Sequence, residues 1–150
     1  MNSRILNRIY IGIALGALFG VLLLRSNDGR YPAARIITGS TSIPVTVADT
    51  PSLREKGLSN TLSLPPGTGK LFLFDIADTK GFWMKDMHYP IDIVWIDSNW
   101  KVVGVSEAVD PSSYPAVFYS PVPVQYVIEV NAHESAKDGL IVDAHLRLEK

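Results

Sequence analysis

Past residue 42 the apolar side chains recur at every second position in short runs, and no 3.6-residue repeat lasts beyond about two helical turns. Runs of this kind, closed off by Gly, Pro, Asn and Asp, become strands, because alternate residues of a strand point to opposite faces. Ile43, Val45 and Val47 form one such face, and Val124, Tyr126, Ile128 and Val130 another. Residues 70–75 (KLFLFD) are apolar at nearly every position, the pattern of a strand covered on both sides. Residues 91–96 and 101–106, joined by DSNW, predict a hairpin; residues 141–148 predict a last strand, and 35–37 a short edge strand. Thr50 before Pro51 starts a short helix that stops at Gly57. Asn131 with Glu134 is a capping-box pattern and predicts a second helix over residues 132–138, ending at Gly139. Pro111, Pro115, Pro121 and Pro123 predict a long loop wrapped over the domain. The expected fold is mainly β: an antiparallel β-sandwich or flattened barrel with two short helices, preceded by an N-terminal transmembrane helix.

That last element comes from residues 9–24 (IYIGIALGALFGVLLL), which hold no charge and no proline and lie between Arg8 and Arg25. As a helix the run spans roughly 24 Å against a hydrocarbon layer of ~30 Å, a gap that snorkelling arginines and Tyr10 can bridge. A cleavable signal peptide is the rival reading, but LLLRSNDGR offers no small-x-small cleavage site. Residues 1–25 are therefore expected to be a signal anchor, 26–42 a flexible linker, and 43–150 a β-rich extracytoplasmic domain, secreted if the leader is cleaved.

Composition narrows the chemistry. With 14 basic and 15 acidic residues the formal charge is -1, which gives no general attraction to nucleic acid. There is no cysteine, so disulfides, thiolate nucleophiles, iron–sulfur clusters, cysteine-bound zinc and an acylated-cysteine anchor are excluded. The serines lack a glycine elbow or a nearby histidine, and GTGK (residues 67–70) is too short for a phosphate loop.

The densest chemistry lies in GFWMKDMHYPIDIVWID, residues 81–97. If residues 82–88 are extended, Phe82, Met84, Asp86 and His88 share a face, and Asp86 with His88 makes a carboxylate–imidazole pair that can orient a base or hold a metal. Further metal ligands would have to come from Asp92, Asp97, Glu107, His133 or His145, and no HxH or HExxH spacing supports them. No metal and no cofactor is therefore expected. Trp83, Trp95 and Trp100 can form an aromatic platform for a glycan or peptide, although aromatics on strands are more often core, as expected for Phe72, Phe74 and Phe82. Trp100 is unusual for a hairpin tip. Asp92 sits in an apolar strand and needs a partner if it points inward, with Lys85 the natural one. Tyr89-Pro90 and Tyr114-Pro115 are candidates for cis bonds.

In order, GLS (residues 57–59), GTGKLFLF (67–74), FWMKDMHYPIDIVWID (82–97), VPVQYVIEV (122–130) and a late GL (139–140) resemble the bacterial and archaeal domain of unknown function number 192, over about residues 43–148. The resemblance implies a compact β-rich domain, often exported, and supplies no reaction. This chain departs from that pattern at Asp86 and Met87, where an asparagine and a small polar residue are usual. It also departs at His133, near a usual glycine, and at Asp143 and Ala144, where a Gly-Asp pair is usual.

Two classes of function remain. The first is a non-catalytic, membrane-tethered module that binds a small molecule, glycan or envelope protein through Trp83, Lys85, Asp86, His88, Asp92 and Trp100. The second is an extracytoplasmic hydrolase or metal-dependent enzyme using Asp86, His88 and Asp92. The first is the expectation, with no catalytic residues assigned.

Overall fold

The computed structural model describes residues 34–150. The anchor expected over residues 1–25, and residues 26–33 of the expected linker, lie outside the described residues. Among the described residues no helix is long and apolar enough to cross a membrane.

Among the described residues there are nine strands: β1 (Ala34–Thr38), β2 (Thr41–Ala48), β3 (Gly69–Asp78), β4 (Gly81–Trp83), β5 (Ile91–Ile96), β6 (Val102–Val109), β7 (Val117–Tyr119), β8 (Val124–Asn131) and β9 (Leu146–Glu149). Seven form one sheet in the order β6-β5-β8-β3-β2-β1-β9, and β4 pairs with β7 in a separate ribbon. The two edges meet at one end, where Lys101 bridges His145 and the amide of Val102 donates to the carbonyl of Ala144 at 2.9 Å. The described residues are thus mainly β, a sheet curled into a half-barrel, with two short helices, α1 (Pro51–Lys56) and α2 (Glu134–Lys137).

Several elements differ from the sequence-based expectation. The sheet is not wholly antiparallel: β2 and β3 run parallel, which is possible because α1 and the following loop carry the chain back between them. Residues 34–42, assigned by composition to the linker, form β1, the turn after it and the start of β2; the short strand expected over 35–37 is part of β1, which is not an edge but is flanked by both β2 and β9. The proline-rich segment is not all loop, since it holds a 3-10 turn (Pro111–Ser113) and β7. Tyr114-Pro115 is cis. The last strand is shorter than residues 141–148, because 141–145 turn to bridge the two sheet edges.

The sheet buries both faces. Ile36, Ile43, Leu71, Val94, Ile96, Ile128 and Val130 fill the inside of the curl. On the outside Phe72, Ile93, Trp95 and Val127 lie under Leu58, Met84 and the ribbon residue Phe82. Phe82 meets Phe72 edge-on at 4.8 Å between ring centres and Trp95 at 5.6 Å, and this docks the ribbon. The indole of Trp95 donates to Ser106 Oγ at 3.1 Å, so the largest buried side chain leaves no polar group unpaired.

Asp92 is fully buried, and alternation along β5 places it on the inner face with Val94 and Ile96. It does not pair with Lys85. Opposite it, β6 carries a bulge between Ser106 and Val109, with Ala108 at φ 48, which frees one amide from the ladder. Asp92 Oδ1 accepts from that Ala108 amide at 2.8 Å, and Oδ2 accepts from the Ser135 amide at the start of α2 at 3.1 Å. The expected capping box is not formed, for the N-cap of α2 is His133 and not Asn131; His133 gives no side-chain cap, and the carboxylate from β5 caps the helix instead. Burial raises the Asp92 pKa, but the hydrogen bonds from Ala108, Ser135 and His133 outweigh it and hold the carboxyl below its ordinary value. A lowered carboxyl pKa gives stability that is present above the ordinary value and lost as pH falls through the folded one. Asp92→Ala should lower the unfolding free energy by about 3 kcal/mol at neutral pH, with Asp92→Asn losing less, measured by urea denaturation. Wild type and Asp92→Asn should converge in stability as the pH falls below 3.8.

Candidate functional site

Thr50 caps α1 by accepting from the Leu53 amide at 3.3 Å, and Pro51 occupies its first turn. At the other end Gly57, at φ 49, turns the chain back with its amide on the Leu53 carbonyl at 3.0 Å. The chain after the helix is then tied to the corner after β4: the Asn60 amide donates to the Asp86 carbonyl at 2.8 Å, and Ser59 Oγ to the Lys85 carbonyl at 2.8 Å. That corner is a β-turn, with the Met87 amide on the Met84 carbonyl at 3.3 Å and Asp86 at φ 56 in its third position. Residues 82–88 are therefore not one extended run. The turn ends the period-two alternation, and among the described residues no hydrogen bond or ion pair joins Asp86 to His88.

Between α1 and this corner lies a cleft in two compartments that share Glu55, Lys56, Ser59 and Trp83. The inner one, ≈ 220 Å³, is walled by Phe72, Phe82, Met87 and Leu58 and reaches Glu129. The outer one, ≈ 350 Å³, adds Lys85, Asp86 and Asn60. Trp83 is 51 % exposed here, with Lys85 Nζ 5.8 Å from its ring centre and Tyr114 edge-on at 6.0 Å.

Of the residues singled out in the sequence, the structure gathers Trp83, Lys85 and Asp86 on this cleft. His88 is exposed and lines neither compartment. Asp92 is on the opposite face of the sheet and already committed to backbone amides. Trp100 stacks on Tyr126 at 3.9 Å beside the β5–β6 turn, and Trp95 is core, so the three tryptophans form no platform. Among the described residues no three His, Asp or Glu side chains converge on a point where a metal ion could sit. Asp97 instead accepts from the amides of Asn99 and Lys101 in its own turn, at 2.8 and 3.0 Å.

Reasoning from sequence missed Glu129. It lies on β8 between Lys70 of β3 and Ile93 of β5, on the face covered by α1. It is only 5 % exposed, and among the described residues no protein group hydrogen-bonds its Oε2. Burial pushes its carboxyl up to about 8, against the pull of the Lys70 charge. Burial likewise lowers Lys70, opposed by Glu129 and assisted by Lys56, and no ion pair closes between the two. The available signal was a glutamate in an apolar alternation, VQYVIEV, with a lysine opening another strand; only the register set them side by side.

A carboxyl whose pKa is raised by folding contributes stability that is full below the ordinary value of 4.5 and is lost as pH rises through about 8. Glu129→Gln keeps the shape and cannot ionise. Its stability should match wild type below about pH 4.5 and exceed it by a few kcal/mol above about pH 8, a divergence that urea denaturation across this range would show.

Residues 34–148 match the family model of DUF192, described as an uncharacterized ACR. No curated protein matches the chain. Among solved structures it resembles a candidate transcription regulator from Sinorhizobium meliloti, with 32% identity over 76% of this chain and 90% of that one and a TM-score of 0.69. A protein of unknown function from Novosphingobium aromaticivorans shares the fold at 22% identity and a TM-score of 0.70, over 77% of this chain and 83% of that one. With the family model spanning the whole half-barrel from β1 into β9, the chain belongs to the DUF192 family.

Proposed function

We propose that this protein is a membrane-tethered, extracytoplasmic, non-catalytic binding module whose site is the cleft between α1 and the β4 corner. The observation that carries the reading is the half-exposed Trp83, held between Lys85 and Tyr114 at the junction of two compartments, one of which ends on a buried carboxyl. A binding site of this kind combines apolar walls with a few fixed polar groups. The ligand class it favours is a small molecule over an envelope protein, because the compartments, at ≈ 220 and ≈ 350 Å³, are of small-ligand size. The enzymatic alternative needs Asp86, His88 and Asp92 around one reacting atom, and their separation on two faces of the sheet speaks against it. The regulator description of the Sinorhizobium meliloti relative finds little support in this chain: its formal charge is -1, and among the described residues the longer α-helix has six residues, too short to lie along a major groove. Tethering rests on the charge-free run at residues 9–24.

Two measurements test this. In a thermal-shift screen of the full-length chain in detergent, a small-molecule or glycan probe should raise the melting temperature of wild type and fail to do so for Trp83→Ala. Hits that survive Trp83→Ala would place binding elsewhere and remove the cleft from the account. Protease added to intact spheroplasts expressing the chain should degrade the domain; full protection would refute export.

A further inference from the structure

We propose that the inner compartment takes a small organic anion, whose oxygen accepts a hydrogen bond from the Glu129 carboxyl and whose body lies against Phe82 and Trp83. This rests on the cleft being a binding site and adds the chemical class of its ligand.

The argument starts from Glu129 itself. It is more than nine-tenths buried, it reaches the inner compartment, and its Oε2 has no partner among the described residues. The groups that face it are Lys70 from β3, Tyr89 from the chain before β5, and Arg54, Glu55 and Lys56 from α1, with Lys85 and Asp86 further out on the corner. Ile93, its neighbour on β5, is apolar. Tyr89 is pushed up by burial and stays a neutral phenol, and no histidine lines either compartment. Apart from Glu129, three cations (Arg54, Lys56, Lys85) line the two compartments against two carboxylates (Glu55, Asp86), and Lys70 stands beside Glu129 on β3.

Burial keeps Glu129 protonated at neutral pH even in that company. A protonated carboxyl is a donor, and among the described residues Glu129 Oε2 has no acceptor. An anionic oxygen would supply one in a charge-assisted bond, and its charge would meet the surplus of cations around the cleft. A cationic ligand would face that same surplus. A neutral one would leave it unanswered. Arg54 is fixed in the wall of the inner compartment, its Nη1 bonded to the carbonyls of Asp49 and Leu73 at 2.8 and 2.7 Å. Phe72, Phe82, Met87 and Trp83 give the apolar side against which a ring or short chain lies.

The test uses four probes with one body and different heads: benzoate, phenyl phosphate, benzylamine and benzyl alcohol. Binding to the full-length chain is followed through the Trp83 indole N–H by NMR. Benzoate or phenyl phosphate should shift that signal at millimolar concentration or below, and whichever binds more tightly tells a carboxylate from a phosphate ester. Affinity for the anion should hold steady below about pH 8 and fall about tenfold per pH unit above it. Glu129→Gln, whose amide still donates, should bind without that loss, and Glu129→Leu should not bind. Lys70→Gln separates the lysine's own titration: the loss should move to higher pH, since Lys70 holds Glu129 down, and should not vanish. Benzylamine binding as well as the anions, anion affinity flat across pH 8, or binding retained in Glu129→Leu would each overturn the proposal. If benzyl alcohol shifts the Trp83 signal while the anions do not, the anion is wrong and the cleft remains a binding site. If no probe shifts it, the anion is equally overturned, and the cleft then stands or falls on the thermal-shift screen with Trp83→Ala.

Discussion

The central strands of this domain must bury both of their faces. β3, β5 and β8 close the inside of the curl with Leu71, Val94 and Ile128, and then present Phe72, Ile93, Trp95 and Val127 on the outside. That second apolar face cannot be left to water, since each large side chain withdrawn from solvent is worth about 1.5–3 kcal/mol. It is covered by α1, by the chain that follows it, and by the β4–β7 ribbon. The covering elements are separate pieces joined by a few hydrogen bonds, and the seam between them is the cleft. Because Glu129 alternates onto the covered face, it ends buried beneath that seam.

Two carboxylates on adjacent strands show how strongly environment decides role. Asp92 and Glu129 are both buried and both sit in apolar runs. Asp92 meets two backbone amides, one freed by a bulge and one at a helix start, and stays ionised as a structural tie. Glu129 Oε2 meets no donor among the described residues, and burial pushes that carboxyl the other way. The difference arises from which face of the sheet each occupies.

Three of the positions noted as departing from the resembled pattern, Asp86, His133 and Asp143, share a backbone property: all have positive φ, at 56, 68 and 72. Glycine enters this region at least cost, and asparagine, aspartate and histidine enter it more readily than other residues. These departures therefore report on turns. Of the three, Asp86 alone also lines the cleft, beside Lys85.

By itself the sequence determined the class of fold, the strands of long alternation, the capped helix from Pro51 to Gly57, the β5–β6 hairpin and the family. Each of these follows from period, punctuation or a contiguous motif, which are local properties of the chain. It also pointed to the corner at Trp83, Lys85 and Asp86. The tertiary structure decided the rest. The parallel pairing of β2 with β3, the partners of Asp92, the scattering of the three tryptophans and the exposure of His88 all depend on register and on which elements cover which face. Glu129 was hidden for the same reason: a lone charge in an apolar strand becomes chemistry only when neighbours remote in sequence exclude water from it, and no local pattern records that exclusion.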